Sequence, residues 1–297
     1  MSIEGSITAL VTPMNEKGDL DYNSLEKLIN FQIDSGISGL VAVGTTGESA
    51  TIDFEDHIKL IEFFIKISNG RVHIIAGTGA NSTDEALHLT KEAKNLGADA
   101  ALLVSPYYNK PPQEGIYRHH AKIADEVDIP QILYNVPSRT ASFIEPETVK
   151  RLSSHQNILG IKDATGDMKN LSEVLKLCEE EIKNKNFFLY SGDDFSFLEF
   201  LKGGGHGTIS VTSNVVPEII SEICQLVQSD FSMAKKLDDQ IKNLNQNLFC
   251  ESNPIPVKWA LAEMGRICHG IRLPMTQLSV EHQESLRKAM RQAGVIQ

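Results

Sequence analysis

The chain has 297 residues, with 28 Lys+Arg against 39 Asp+Glu and a formal net charge of −11. That acidity argues against a dedicated nucleic-acid surface, which carries a basic stripe. No window approaches the ~18 consecutive apolar residues of a membrane span. In chain order, short runs rich in Val, Ile, Leu and Ala predict strands over 6–13, 39–44, 72–79, 100–106, 131–137, 158–164, 187–193 and 207–214. Most are continuously apolar, the pattern of strands covered on both faces. Helical spacing predicts helices between them over 21–35, 54–68, 82–96, 114–126, 145–153, 170–183, 195–203 and 217–228. Ser82 and Glu85 have the spacing of a capping box, and Gly97 stands where that helix should stop. Eight strand–helix units are the number with which a (β/α)8 barrel closes; an open doubly wound sheet is the rival reading.

From about residue 231 no strand-like run remains, and 232–248, 257–264 and 280–293 read as helices. The expected organisation is therefore α/β: a TIM barrel over 1–230 with a C-terminal helical domain over 231–297. Cys178, Cys224, Cys250 and Cys268 are too sparse for a disulfide scaffold and show no metal-ligand spacing. Reduced thiols and no resident metal are expected. The N-terminal run lacks the basic segment of a secretory signal, which fits a cytoplasmic protein.

In a barrel the active site lies at the C-terminal ends of the strands. Those ends bring forward Thr45-Thr46-Gly47-Glu48, Tyr107-Tyr108-Asn109, Tyr134-Asn135 with Arg139, Lys162-Asp163, Gly192-Asp193-Asp194, Ser210 and Thr212. Lys162 is the sharpest of them, because its strand is otherwise nearly apolar. Side chains two apart share a face, so Lys162 should point with Gly160 and Ile158. Facing the interior, its amine would lose hydration, lose its proton and attack a ketone to form a Schiff base. Facing outward, it would reach water or pair with Asp163. Tyr134 offers either a proton relay or a core hydroxyl. The Gly-flanked Thr45–Thr46 turn offers either hydroxyls and amides for a carboxylate or an ordinary strand-to-helix connection. Arg139, in a tight loop after Pro137-Ser138, suits bidentate capture of a carboxylate or plain solvation. His119 and His120, adjacent on a helix, should point apart and not share a metal. The glycines at 203–207 precede a strand, so they read as a flexible connection and not as a nucleotide loop.

Taken together, VGTTGESAT at 43–51, SPYYNKPPQEG at 105–115, YNVPSRT at 134–140, GIKDATGD at 160–167, SGDD at 191–194, GGHGTISVTSN at 204–214 and NPIPVKWA at 253–260 carry a resemblance. With GSITALVTP at 5–13 and GTGANST at 77–83, they span the chain, tail included. The sequence resembles the dihydrodipicolinate synthase family of pyruvate-dependent class I lyases. That resemblance implies a Schiff base between Lys162 and pyruvate, with no separate cofactor. It implies Tyr134 as proton shuttle, in a relay with Thr45 and with Tyr108 from a neighbouring subunit of a homotetramer built as a dimer of dimers. Thr46 would hold the pyruvate carboxylate. Arg139 would hold that of L-aspartate-4-semialdehyde, and Gly192 and Ile209 would line the pocket through their carbonyls. A site for feedback by lysine would match Ser49, Ala50, His57, Asn81, Glu85 and Tyr107; Phe54 stands where enteric members of the family typically have histidine. Sugar-acid aldolases such as N-acetylneuraminate lyase share the lysine and tyrosine, and Arg139 with the GTTGE turn separates the two. A non-catalytic keto-acid binder would be expected to lack Lys162 or Tyr134.

Overall fold

The computed structural model describes residues 3–297. Eight parallel strands form a closed barrel in sequence order: β1 (Gly5–Ala9), β2 (Gly39–Ala42), β3 (His73–Gly77), β4 (Ala100–Val104), β5 (Gln131–Asn135), β6 (Ile158–Asp163), β7 (Phe188–Ser191) and β8 (Gly207–Ser210). Ten helices accompany them: α1 (Tyr22–Asp34), α2 (Phe54–Ser68), α3 (Thr83–Leu96), α4 (Gln113–Glu126), α5 (Pro137–Thr140), α6 (Pro146–Ser153), α7 (Met168–Leu177), α8 (Glu179–Lys183), α9 (Phe197–Lys202) and α10 (Pro217–Leu226). The tail adds α11 (Phe231–Asn247), α12 (Ile255–Glu263) and α13 (Val280–Gln292). The closed barrel is therefore the fold, and the open sheet is excluded.

Each strand buries both faces. Ile7, Val41, Ile75, Leu102, Ile132, Phe188, Tyr190 and Ile209 fill the barrel, while Leu40, Ile74, Leu103, Leu133 and Leu189 pack outward under the helices. Helix starts follow the capping residues: Asp21 accepts from the Ser24 amide, Asp53 from that of Asp56 and Ser82 from that of Glu85. Gly97 ends α3 in the left-handed region, at φ 91°. Ala234, Ile241 and Leu244 of α11 in the tail join the same apolar cluster as α1 and α2.

Three local differences from the sequence reading have physical causes. The predicted strands run too far at their C-terminal ends. Beyond Ala9 the run stays apolar because Leu10 and Val11 pack into the outer cluster. The helix expected over 170–183 divides at Cys178 into α7 and α8. His119 and His120 do not point to opposite sides: both are buried, with ring centroids 4.9 Å apart.

Candidate active site

Residue 162 lies in β6, beside Tyr134 of β5 and Tyr190 of β7. The expectation that Lys162 shares a face with Ile158 fails at that strand's start. Gln131 pairs with Ile158 and Ile132 with Gly160, a register shift that leaves Leu159 as the extra residue. Ile158 thus packs outward while Leu159 packs inward. Beyond the bulge alternation resumes, placing Ile161 outside and Lys162 inside, beside Tyr134.

Lys162 is 5% exposed. Loss of hydration brings its pKa down to about 7; the Asp194 carboxylate opposes that fall and the Arg139 charge adds to it. Its Nζ lies 4.2 Å from the centre of the Tyr134 ring. Asp163 does not pair with it: that carboxylate turns the other way and accepts from Asn170 Nδ2 at 2.6 Å and the Thr165 amide at 3.0 Å. Gly192 makes room for the lysine stem. A Cβ there would sit 2.8 Å from Lys162 Cε. Ile209 lies in the interior cluster, 1% exposed.

Tyr134 is buried, which pushes its phenol pKa up, while Arg139 and a hydrogen bond with the Thr45 side chain pull it down. Thr45 begins a 3-10 turn over Thr45–Gly47, capped by Glu48 in the left-handed region at φ 62°. Thr46 is buried beneath it and accepts a hydrogen bond from Asn253 Nδ2 at 3.0 Å. Arg139 belongs to the one-turn helix α5, not to a loop, and its Nη2 donates to the Asn253 carbonyl at 3.3 Å. One tail residue therefore touches both groups read as carboxylate binders.

A cavity of about 500 Å³ opens at this end of the barrel. Thr45, Val136, Arg139 and Asn253 line one part; Ser49, Ala50, His57, Glu85 and Tyr107 line the other. His57 Nε2 donates to the Gly77 carbonyl, 2.7 Å away, and burial lowers its pKa. Asn81 is not in the wall, but its backbone hydrogen-bonds Tyr107. Tyr108 is the residue the fold does not bring in: it is 88% exposed, with φ 72°.

Three site residues had no assigned role in the sequence reading. Asp194 is buried and accepts from the Val211 and Thr212 amides, both at 2.9 Å. Its neighbour Asp193 turns away to bind Ser196 Oγ at 2.6 Å. Glu48 and Asn253 are the others, and nothing in the local spacing marks either as buried. Among the described residues, no group of three or more His, Cys, Asp or Glu could hold a metal ion.

A closed barrel with a desolvated interior lysine at a strand's C-terminal end, beside a phenol and a hydroxyl, has the arrangement of a Schiff-base-forming barrel lyase. The family model described as Dihydrodipicolinate synthetase family matches residues 2–293. The chain belongs to that family. A 4-hydroxy-tetrahydrodipicolinate synthase from Pseudomonas aeruginosa is 54% identical over 295 residues, covering 99% of each chain. The crystal structure of the chloride-inhibited dihydrodipicolinate synthase from Acinetobacter baumannii complexed with pyruvate is 51% identical, with a TM-score of 0.96, and covers 99% of this chain and 100% of that one. A dihydrodipicolinate synthase from Cyanidioschyzon merolae with lysine bound is 35% identical, with a TM-score of 0.92 and 99% of each chain covered.

Proposed function

We propose that the chain is a 4-hydroxy-tetrahydrodipicolinate synthase, condensing pyruvate with L-aspartate-4-semialdehyde in the diaminopimelate route to lysine. The observation that carries the mechanism is Lys162, buried in the barrel with its pKa brought down to about 7. Near neutral pH a large fraction of the amine is unprotonated and nucleophilic. It adds to the pyruvate ketone, and loss of water leaves a protonated imine. That imine is an electron sink, so a methyl proton leaves and an enamine forms. The enamine carbon attacks the aldehyde. The amine of the bound product then closes on the imine carbon and expels Lys162. No separate cofactor enters.

Each step moves a proton, and Tyr134 lies against Lys162 with Thr45 hydrogen-bonded to it. Thr46 and the turn amides take the pyruvate carboxylate, and Arg139 takes that of the semialdehyde. Gly192 and Ile209 contribute their carbonyls to the wall. Tyr108, exposed on the single chain, suits a relay completed by a neighbouring copy within a homotetramer, a dimer of dimers. Ser49, Ala50, His57, Asn81, Glu85 and Tyr107 form the site for lysine as feedback inhibitor. The catalytic barrel is 1–230, of which residues 1–2 lie outside the described residues, and 231–297 is the helical extension. The protein is placed in the cytoplasm. Among the described residues no helix is long and apolar enough to cross a membrane.

The test is substrate turnover by the purified enzyme. Pyruvate with L-aspartate-4-semialdehyde should be consumed together, and millimolar lysine should slow the reaction. Cleavage of N-acetylneuraminate without that condensation would overturn the assignment in favour of a sugar-acid aldolase. An enzyme indifferent to millimolar lysine would remove the feedback site.

A further inference from the structure

The chain buries a second lysine. Lys258, on α12, is 3% exposed, and its ammonium is ion-paired with the equally buried Glu48. The other Glu48 oxygen accepts from the Arg272 backbone amide at 3.1 Å. The Arg272 guanidinium in turn donates to the Gly18 and Thr51 carbonyls, both at 2.9 Å. Two segments of the tail, α12 and the stretch at Arg272, therefore grip one residue of the barrel. That residue is the left-handed cap of the Thr45–Gly47 turn. From the other side Asn253 Nδ2 donates to Thr46 Oγ1 at 3.0 Å. A hydroxyl that accepts from Asn253 keeps its own proton for another acceptor.

A buried ion pair contributes little stability beyond an apolar pair of the same volume. What it does impose is direction: a carboxylate held at both oxygens by donors from different segments has one orientation. We infer that Glu48 and Lys258 are positioning residues for substrate, their pair locking the 45–48 turn so that Thr46 and its neighbouring amides meet the pyruvate carboxylate. The helical tail is on this account part of the substrate site. Neither residue touches the reacting atoms; both act through the turn. Burial disfavours the Lys258 ammonium, and the Glu48 charge opposes that loss. The inference rests on the reading of the turn as the carboxylate seat.

The test compares the intact wild-type enzyme with Lys258→Met and with the neutral double variant Glu48→Gln/Lys258→Met, in steady-state assays over a range of pyruvate concentrations. KM for pyruvate should rise about tenfold or more in both variants, while kcat falls less than about threefold. Pyruvate trapped by borohydride at saturation should reach the wild-type extent. A pair that served stability alone would leave KM unchanged in the double variant, which carries no unpaired charge, and that result overturns the inference. Where Lys258→Met does not fold, the double variant decides. A wild-type enzyme that forms no pyruvate adduct would instead refute the functional reading, and this inference with it.

Discussion

Lys162 and Lys258 are both almost wholly buried, yet the barrel mouth and the seam between barrel and tail treat them differently. At the seam the ammonium meets a carboxylate in direct contact, and that carboxylate is itself held by the Arg272 amide. At the mouth the ammonium lies over the Tyr134 ring, and Gly192 leaves room for its stem. The Asp194 charge acts on it, while the hydrogen bonds of that carboxylate go to the Val211 and Thr212 amides. Burial disfavours the charged form in both places. A bonded counter-charge opposes that loss at one amine, and the lack of one leaves the other free to become a nucleophile.

Four changes break or sharpen that contrast. Lys162→Ala, which removes the nucleophile, should lower kcat by about 10³-fold or more, measured by steady-state turnover. Lys258→Met should act first on stability. It leaves Glu48 charged and buried, which costs about 3–5 kcal/mol by denaturant unfolding, and adding Glu48→Gln should recover most of that. Gly192→Ala places a methyl 2.8 Å from Lys162 Cε. Displacing the amine in this way should reduce kcat/KM for pyruvate by about tenfold to a hundredfold with the fold intact by circular dichroism.

The smallest effect is a shift along the pH axis. Because the unprotonated amine attacks, kcat/KM for pyruvate should rise about tenfold per pH unit below the Lys162 pKa of about 7 and level off above it. Asp194 opposes the fall of that pKa, so Asp194→Asn should move the shoulder to lower pH; a shift to higher pH would contradict the electrostatics. The same group is linked to stability. Its folded pKa is depressed, so between about 7 and the ordinary lysine value the unfolded chain binds more protons, and Lys162 makes the fold more stable as pH rises through that window.

Much of this was legible in the sequence. Apolar runs marked all eight strands, because strands covered on both faces leave no polar alternation to confuse with helices. Lys162 stood out as the charge in such a run, and Thr45, Thr46, Tyr134 and Arg139 fell at strand ends. Hidden features depend on non-local packing. The β-bulge that turns Ile158 outward comes from register with Gln131, which no single strand encodes. Neither does the Asp-Asp pair at 193–194 announce which carboxylate turns inward. The Glu48–Lys258 pair joins residues 210 positions apart, and each lies in a segment whose local pattern reads as an ordinary turn or tail helix. Tyr108 is plain in sequence and exposed in a single chain, since its proposed partner would be another copy.

The most direct test of the central claim is borohydride reduction of the enzyme in the presence of pyruvate, followed by peptide mass measurement. The account predicts one covalent adduct, on the peptide carrying Lys162, with Lys258 unmodified. An adduct on Lys258, or no pyruvate-dependent adduct at all, would contradict it.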